Sequence, residues 1–84
     1  MIIINSDIGS IFNFNNTISI QISYDCDKYI LRNISNSGLQ ELAIFSHKND
    51  AIETLEKIAA YYDRDMKVVH INNKMEDKYA TDRT

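Results

Sequence analysis

The chain has 84 residues, which is enough for one small domain, because a chain of this length buries only about two-thirds of the surface that it exposes when unfolded. Hydrophobic residues make up 44% of the sequence and charged residues 25%, which excludes a disordered acidic tail and a collagen-like or membrane polymer. The net charge of -3, from 9 basic and 12 acidic residues, disfavours binding along a nucleic-acid backbone.

The N-terminal segment and the single cysteine indicate the compartment. No basic stretch precedes the apolar residues 2–4, and this run is too short for a secretion signal or a membrane span. Cys26 has no second cysteine with which to form a disulfide, and a thiolate zinc site also needs more than one cysteine. We therefore expect a cytoplasmic protein without a membrane segment.

The first part of the chain predicts β-structure. Residues 2–4 form a β-branched run that suits a strand covered on both faces, and residues 6–10 form a turn. A short apolar piece at residues 11–14 leads to a corner at Asn15 and Asn16. Residues 17–25 then alternate apolar and polar side chains, which predicts a half-buried antiparallel strand. The apolar members of this strand are Ile18, Ile20, Ile22 and Tyr24.

Two more strands are predicted at residues 28–34 and 39–45. The Asp-Cys-Asp sequence at residues 25–27 forms the turn before the first of them, and the Asn-Ser-Gly sequence at residues 36–38 forms the turn between them. Three consecutive strands that are joined by short polar turns predict an antiparallel meander.

A helix is predicted to begin at residues 46–50, where the spacing of apolar residues changes from two to about 3.6. Its start has a polar cap, and Asp50 lies in the first turn. The predicted apolar stripe consists of Ala51, Ile52, Leu55, Ile58, Ala59 and Tyr62. We expect this stripe to pack on the sheet, because burying each Ile or Leu contributes about 1.5 to 3 kcal/mol.

Residues 66–71 are rich in β-forming side chains and predict a last strand at an edge of the sheet. The sequence therefore predicts an α+β fold at residues 1–72, with an antiparallel sheet of about four to six strands and one amphipathic helix packed on one face. Residues 73–84 are polar except for a few positions, and we expect them to form a flexible C-terminal tail.

No motif in the sequence predicts catalysis. His47 and His70 are the only histidines, and no metalloprotease helix, serine nucleophile motif or glycine-rich phosphate loop is present. The acidic pairs, residues 25 and 27 and residues 63 and 65, have a spacing that can hold a hard cation but lack the further oxygen ligands of a calcium loop. We therefore expect no enzyme activity, no metal and no cofactor.

Tyrosine and arginine are the residue types that most often anchor protein interfaces, because they provide a large contact area. We expect Tyr62 to belong to the core and Tyr61, next to the stripe, to lie at an interface. The residues expected to bind a partner or ligand are Arg32, Tyr61, Arg64, His70 and Tyr79.

The sequence resembles a loose group of short α+β proteins from low-GC Gram-positive bacteria and their phages and mobile elements. The resemblance is carried by residues 1–7, by the Phe14-Asn15-Asn16 corner and by the helix at residues 46–58. It implies an intracellular accessory role, and small acidic phage proteins of this shape are often stoichiometric inhibitors of host defence. These motifs contain no catalytic residue, so the resemblance assigns no site.

Three functions remain open. The first is a phage- or prophage-encoded binding module that acts by occupying a host protein, with the acidic surface steering the encounter. The second is an oligomer that traps a nucleotide between subunits, with Arg32, Arg64 and tyrosines converging on the ligand. The third is a metal-dependent phosphodiesterase that uses the two acidic pairs. We also expect a homodimer, because unpaired strand edges must be covered, charged or paired.

Overall fold

The structure is a computed structural model, and it describes residues 1–76. This part of the chain contains one helix and six strands, so the predicted α+β class and the predicted number of strands are confirmed. The strands are β1 (Ile2–Asn5), β2 (Ser10–Asn13), β3 (Thr17–Asp25), β4 (Lys28–Ser35), β5 (Gly38–Phe45) and β6 (Val68–Ile71), and the helix is α1 (Lys48–Asp63). One turn of 3₁₀ helix at Phe14–Asn16 forms the corner between β2 and β3.

The six strands form two sheets of three strands instead of the single antiparallel sheet that we predicted. The first sheet has the order β2-β1-β6, in which β1 pairs antiparallel with β2 and parallel with β6. The second sheet has the order β3-β4-β5 and is antiparallel throughout. The alternation of side chains reports which residues face a core, but it carries no information about which strand pairs with which.

The chain after β6 connects the two sheets. Lys74 forms a parallel bridge with Phe45, its amide donates to the carbonyl of Ile44 at 3.0 Å, and its carbonyl accepts from the amide of Ser46 at 2.9 Å. The start of the predicted C-terminal tail, residues 73–76, is therefore hydrogen-bonded to β5 and to the residue that follows it. The remainder of that tail, including Tyr79, lies outside the described residues.

Helix α1 contacts β6 of the first sheet and all three strands of the second. Ala51 and Ile58 are fully buried, and Leu55 packs against the core. The expectation that Tyr62 belongs to the core was wrong, because Tyr62 is 61% exposed. Tyr61, which was expected at an interface, is half-buried and packs against the core. The spacing of residues predicts the direction of a side chain around the helix axis, but it does not predict what lies beside the last turn. There the ring of Tyr62 lies 5.3 Å from the ring of Phe14, measured between centroids.

The hydrophobic core lies between the two sheets and the helix. Its fully or almost fully buried members are Ile3, Phe12, Leu31, Leu42, Ala43, Phe45, Ala51, Ile58, Val69 and Ile71. Within residues 1–76, no helix has the length and the apolar character that a bilayer span requires.

Candidate functional site

The structure brings two of the five predicted site residues together. Tyr61 on α1 and His70 on β6 line one groove of about 260 Å³, which lies between the helix and the segment that follows β6. Arg32 lines a different depression on the second sheet, and Arg64 is an exposed residue that caps the C-terminus of α1. Tyr79 lies outside the described residues. Because Arg32 and Tyr61 line different depressions, they do not meet within one chain. A ligand site that uses both residues would need a second subunit.

The groove beside Tyr61 and His70 carries charges of both signs. Its two ammonium groups are already paired, since Lys74 lies 3.2 Å from Asp50 and Lys57 lies 3.5 Å from Glu53. An anionic ligand would have to compete with these carboxylates. The volume is also slightly below the range of roughly 300 to 1,000 Å³ that is typical of small-molecule sites.

Arg32 lies on the outer face of the second sheet, between Gln21 on β3 and Glu41 on β5. The Nε atom of Arg32 is buried and has no hydrogen-bond partner among the described residues. The depression beside it has a volume of about 220 Å³ and is otherwise lined by Leu39, Gln40 and Glu41. Glu41 also lines this depression, and its carboxylate would repel a phosphate group beside Arg32.

The acidic turn between β3 and β4 is a tight two-residue turn. Cys26 and Asp27 both have positive φ, 52° and 61°, as expected for a type I′ hairpin turn. The hydrogen bond from the Cys26 thiol to the Asp25 carboxylate, at 3.4 Å, raises the pKa of Cys26, which disfavours a nucleophilic thiolate. The hydroxyl of Tyr24 donates to Asp27 at 2.9 Å, and this bond raises the pKa of Tyr24.

The acidic pairs do not form part of a larger cluster in the described chain. Among residues 1–76, no three side chains of the His, Cys, Asp and Glu types gather where they could hold a metal ion. Asp25 and Asp27 instead take part in the hydrogen bonds of their own turn.

The outer face of the first sheet is an exposed apolar feature that the strand pairing creates. Ile3, Phe12 and Val69 point into the core, so the residues before and after them point outward. In one row Ile11, Ile4 and His70 lie side by side, and in the next row Asn13, Ile2 and Val68 do. Ile11 is 70% exposed and Val68 is 48% exposed, while Ile2 and Ile4 are half-buried. We refer to Ile2, Ile4, Ile11 and Val68 as the aliphatic face.

Sequence reasoning found His70 at the border of this face but missed its four aliphatic members. The sequence did contain a signal for this face. The run of three isoleucines at residues 2–4 places apolar side chains on both faces of a strand, and we predicted that both faces would be covered. The structure covers one face of β1 with the core, and no helix or strand of residues 1–76 packs over the other. An aliphatic surface of this kind on a small protein is typical of an interaction site.

The comparisons with known proteins found no relative of this chain. No family model matches the sequence, and neither a curated protein nor a solved structure is significantly similar to it. The resemblance to small proteins of Gram-positive bacteria and their phages thus stays a prediction.

Proposed function

We propose that this chain is a non-enzymatic binding module that occupies a protein partner through the aliphatic face. The observation that supports this function is the alignment of Ile11 with Ile4, and of Ile2 with Val68, on a three-stranded sheet without a covering element in residues 1–76. Side chains that are held on paired strands lose little conformational freedom on binding, and this lowers the entropic cost of forming an interface.

The proposed partner is a protein whose contact surface is apolar at its centre and basic at its rim. The apolar centre matches the aliphatic face, and the basic rim complements the net charge of -3 on this chain. In the setting that the sequence resemblance implies, the partner is a host protein in the cytoplasm of a Gram-positive bacterium. The module then acts as a stoichiometric inhibitor that is encoded by a phage or prophage.

Affinity capture with matched variants tests this function. The wild-type chain and two variants, Ile11→Asp and Leu39→Asp, are used as bait in lysate of a low-GC Gram-positive bacterium. Both substitutions place a carboxylate at a position that is more than 60% exposed, but only Ile11 belongs to the aliphatic face. A protein that is recovered in a one-to-one amount by the wild type and by Leu39→Asp, but not by Ile11→Asp, supports the proposal.

The captured protein is then titrated with purified wild-type chain and with Ile11→Asp. Loss of a central interface anchor costs about 2 kcal/mol or more, so the affinity should fall by about thirtyfold or more. Equal binding by Ile11→Asp and the wild type would contradict the proposal, and so would the absence of any stoichiometric partner.

A second candidate function, nucleotide binding by an oligomer, is favoured by the groove that brings Tyr61 and His70 near Lys57 and Lys74. It receives less support, because both lysines are ion-paired and the volume is small. Heating purified protein and analysing the released fraction for nucleotides tests it directly. A fraction that contains no nucleotide, from protein that also fails to bind added nucleotides, would exclude this function.

A further inference from the structure

The free edge of β3 is long and lacks the usual protection against pairing. β3 has nine residues and is an edge strand of the second sheet, with β4 as its only strand partner in residues 1–76. From Thr17 to Tyr24 it contains no charged residue, no proline and no glycine. Natural proteins usually protect such edges with charges, proline, bulges or a covering segment. The single irregularity of β3 is a bulge between Thr17 and Ser19, at one end of the strand.

The opposite edge of the same sheet, β5, has such protection. The amide of Ile44 donates to the side chain of Asn73 at 3.0 Å, and the carbonyl of Ile44 accepts from Lys74 at 3.0 Å. The carbonyl of Leu42 accepts from the side chain of Asn5 at 2.7 Å. Three of the outward groups in the second half of β5 are therefore satisfied within the chain. In the described residues, no comparable side chain or segment binds the outward backbone groups of β3.

The hairpin turn determines which backbone groups of β3 face the free edge. Asp25 and Lys28 flank the two-residue turn, so they form a hydrogen-bonded pair. Backbone groups alternate in direction along a strand, and those of Ser23 and Gln21 therefore also point toward β4. The amides and carbonyls of Ile20, Ile22 and Tyr24 point to the open edge.

We propose that this edge pairs with β3 of a second copy of the chain, antiparallel and about a twofold axis at Gln21. In this register Ile20 lies opposite Ile22 of the second copy, so that their outward amides and carbonyls bond to each other. Ile18 then lies opposite Tyr24 of the second copy. Ile18 is 66% exposed and Tyr24 is 62% exposed, and the pairing covers both with an aliphatic-aromatic contact.

The polar side chains of β3 are compatible with this register. Gln21 faces Gln21 of the second copy and Ser19 faces Ser23, so no two like charges meet. The two second sheets become one continuous sheet of six strands. The aliphatic face belongs to the other sheet and stays open, so this inference does not depend on the proposed function.

Charge substitutions at the twofold position test the register. Gln21→Lys and Gln21→Glu each place two like charges opposite each other in a homodimer, whereas a mixture of the two variants places opposite charges there. Gln21 is exposed and lies opposite Arg32 on β4, so Gln21→Lys places two positive charges side by side within each chain, whereas Gln21→Glu places opposite charges there. Circular dichroism verifies that both variants keep the fold. Gln40→Lys and Gln40→Glu, at the other glutamine of the chain, which is also exposed, are the matched controls.

Sedimentation measures the dimer in each sample. We expect a wild-type dimer, an about fivefold weaker dimer for Gln21→Lys and a smaller loss for Gln21→Glu, because Arg32 beside it offsets part of the repulsion between the two glutamates. The mixture of the two variants should dimerise about tenfold more tightly than Gln21→Lys alone. The Gln40 variants should behave as the wild type. A monomeric wild type at high concentration would overturn the proposal. So would a Gln21→Lys variant that dimerises as well as the wild type, or a mixture that is no tighter than Gln21→Lys alone.

Amide hydrogen exchange gives a second readout that needs no substitution. The amides of Gln21 and Ser23 bond to β4 and should be protected at any protein concentration. The amides of Ile20 and Ile22 should become protected only when the concentration favours the dimer. Exchange of Ile20 and Ile22 that does not depend on concentration would also overturn the pairing.

Discussion

Asn5 is the most deeply buried polar residue in the described chain. It is fully buried, and its side-chain amide donates to the carbonyl of Leu42 at 2.7 Å and to Asn73 at 2.9 Å. Its side-chain oxygen accepts from the amide of Asp7 at 3.0 Å. A single side chain thus connects β1 to β5 and to the segment after β6. Buried polar groups with all their bonds made stabilise one arrangement of strands over others.

Replacing Asn5 with Asp should strongly destabilise the protein at neutral pH. The variant has nearly the same shape, but a carboxylate then faces two acceptors, the carbonyl of Leu42 and the side-chain oxygen of Asn73. The amide of Asp7 remains as one donor, but no positive charge compensates the carboxylate, and an uncompensated buried charge costs about 3 to 5 kcal/mol. Urea denaturation at pH 7 should show a loss of this size.

The same variant should lose less stability in acid. Burial disfavours the charged form of the introduced carboxyl group, so its folded-state pKa should lie above the unfolded value of about 3.9. Folding therefore favours the protonated form, and the stability of Asn5→Asp relative to the wild type should rise as the pH falls toward about 4. Asn13→Asp, at an exposed position on β2, is the control and should change stability little at either pH. An equal effect of both substitutions would contradict the role of Asn5.

At the level of the elements, helical spacing predicts which side chains of α1 are buried in the first turns but not in the last turn. The spacing correctly predicted that Ala51 and Ile58 face the core. It also placed Tyr62 in the stripe, yet Tyr62 is exposed and Tyr61 packs against the core instead. The spacing of apolar residues describes the faces of an isolated helix. Whether a side chain in the last turn is buried also depends on how far the neighbouring strands extend.

Alanine substitutions of the two tyrosines should therefore have unequal effects. Tyr61→Ala removes contacts with the core and should lower the free energy of unfolding by about 2 kcal/mol. Tyr62→Ala removes the contact with Phe14 and should lower it by about 1 kcal/mol or less. Urea titrations of both variants under the same conditions measure the difference. A larger loss for Tyr62→Ala would mean that the helix lies in the orientation that the sequence alone predicted.

At the level of the whole molecule, local features were predictable from the sequence and long-range ones were not. The elements follow from alternation, helical spacing and turn residues, all of which act within a few positions. The pairing of β1 with β6 joins segments that are far apart in the chain, as in Ile3 with Val69, and nothing in either segment specifies the partner. This pairing places His70 beside Ile4 and so creates the border of the aliphatic face. Arg32 and Arg64 were selected by residue type alone, and residue type does not determine position.

Residues 73–76 connect the two sheets, and the last prediction concerns how much they contribute to the stability of the fold. The sequence predicted a domain of residues 1–72 followed by a flexible tail. In the structure, residues 73–76 bond to both sheets and to the residue after β5. These bonds join Asn73 to Asn5, Asp7 and Ile44, Lys74 to Ile44 and Ser46, and Glu76 to Ser46.

A chain that ends at residue 72 should therefore be much less stable than one that ends at residue 76. Each of these hydrogen bonds contributes about 0.5 to 1.5 kcal/mol, so their joint loss should lower the free energy of unfolding by about 4 kcal/mol. Small domains have only about 5 to 15 kcal/mol in total, so the shorter chain should lose a large part of its stability and melt at a clearly lower temperature. Thermal melts of the two chains followed by circular dichroism measure this. Equal melting temperatures would show that the boundary predicted from the sequence is right and that the contacts of residues 73–76 add no stability.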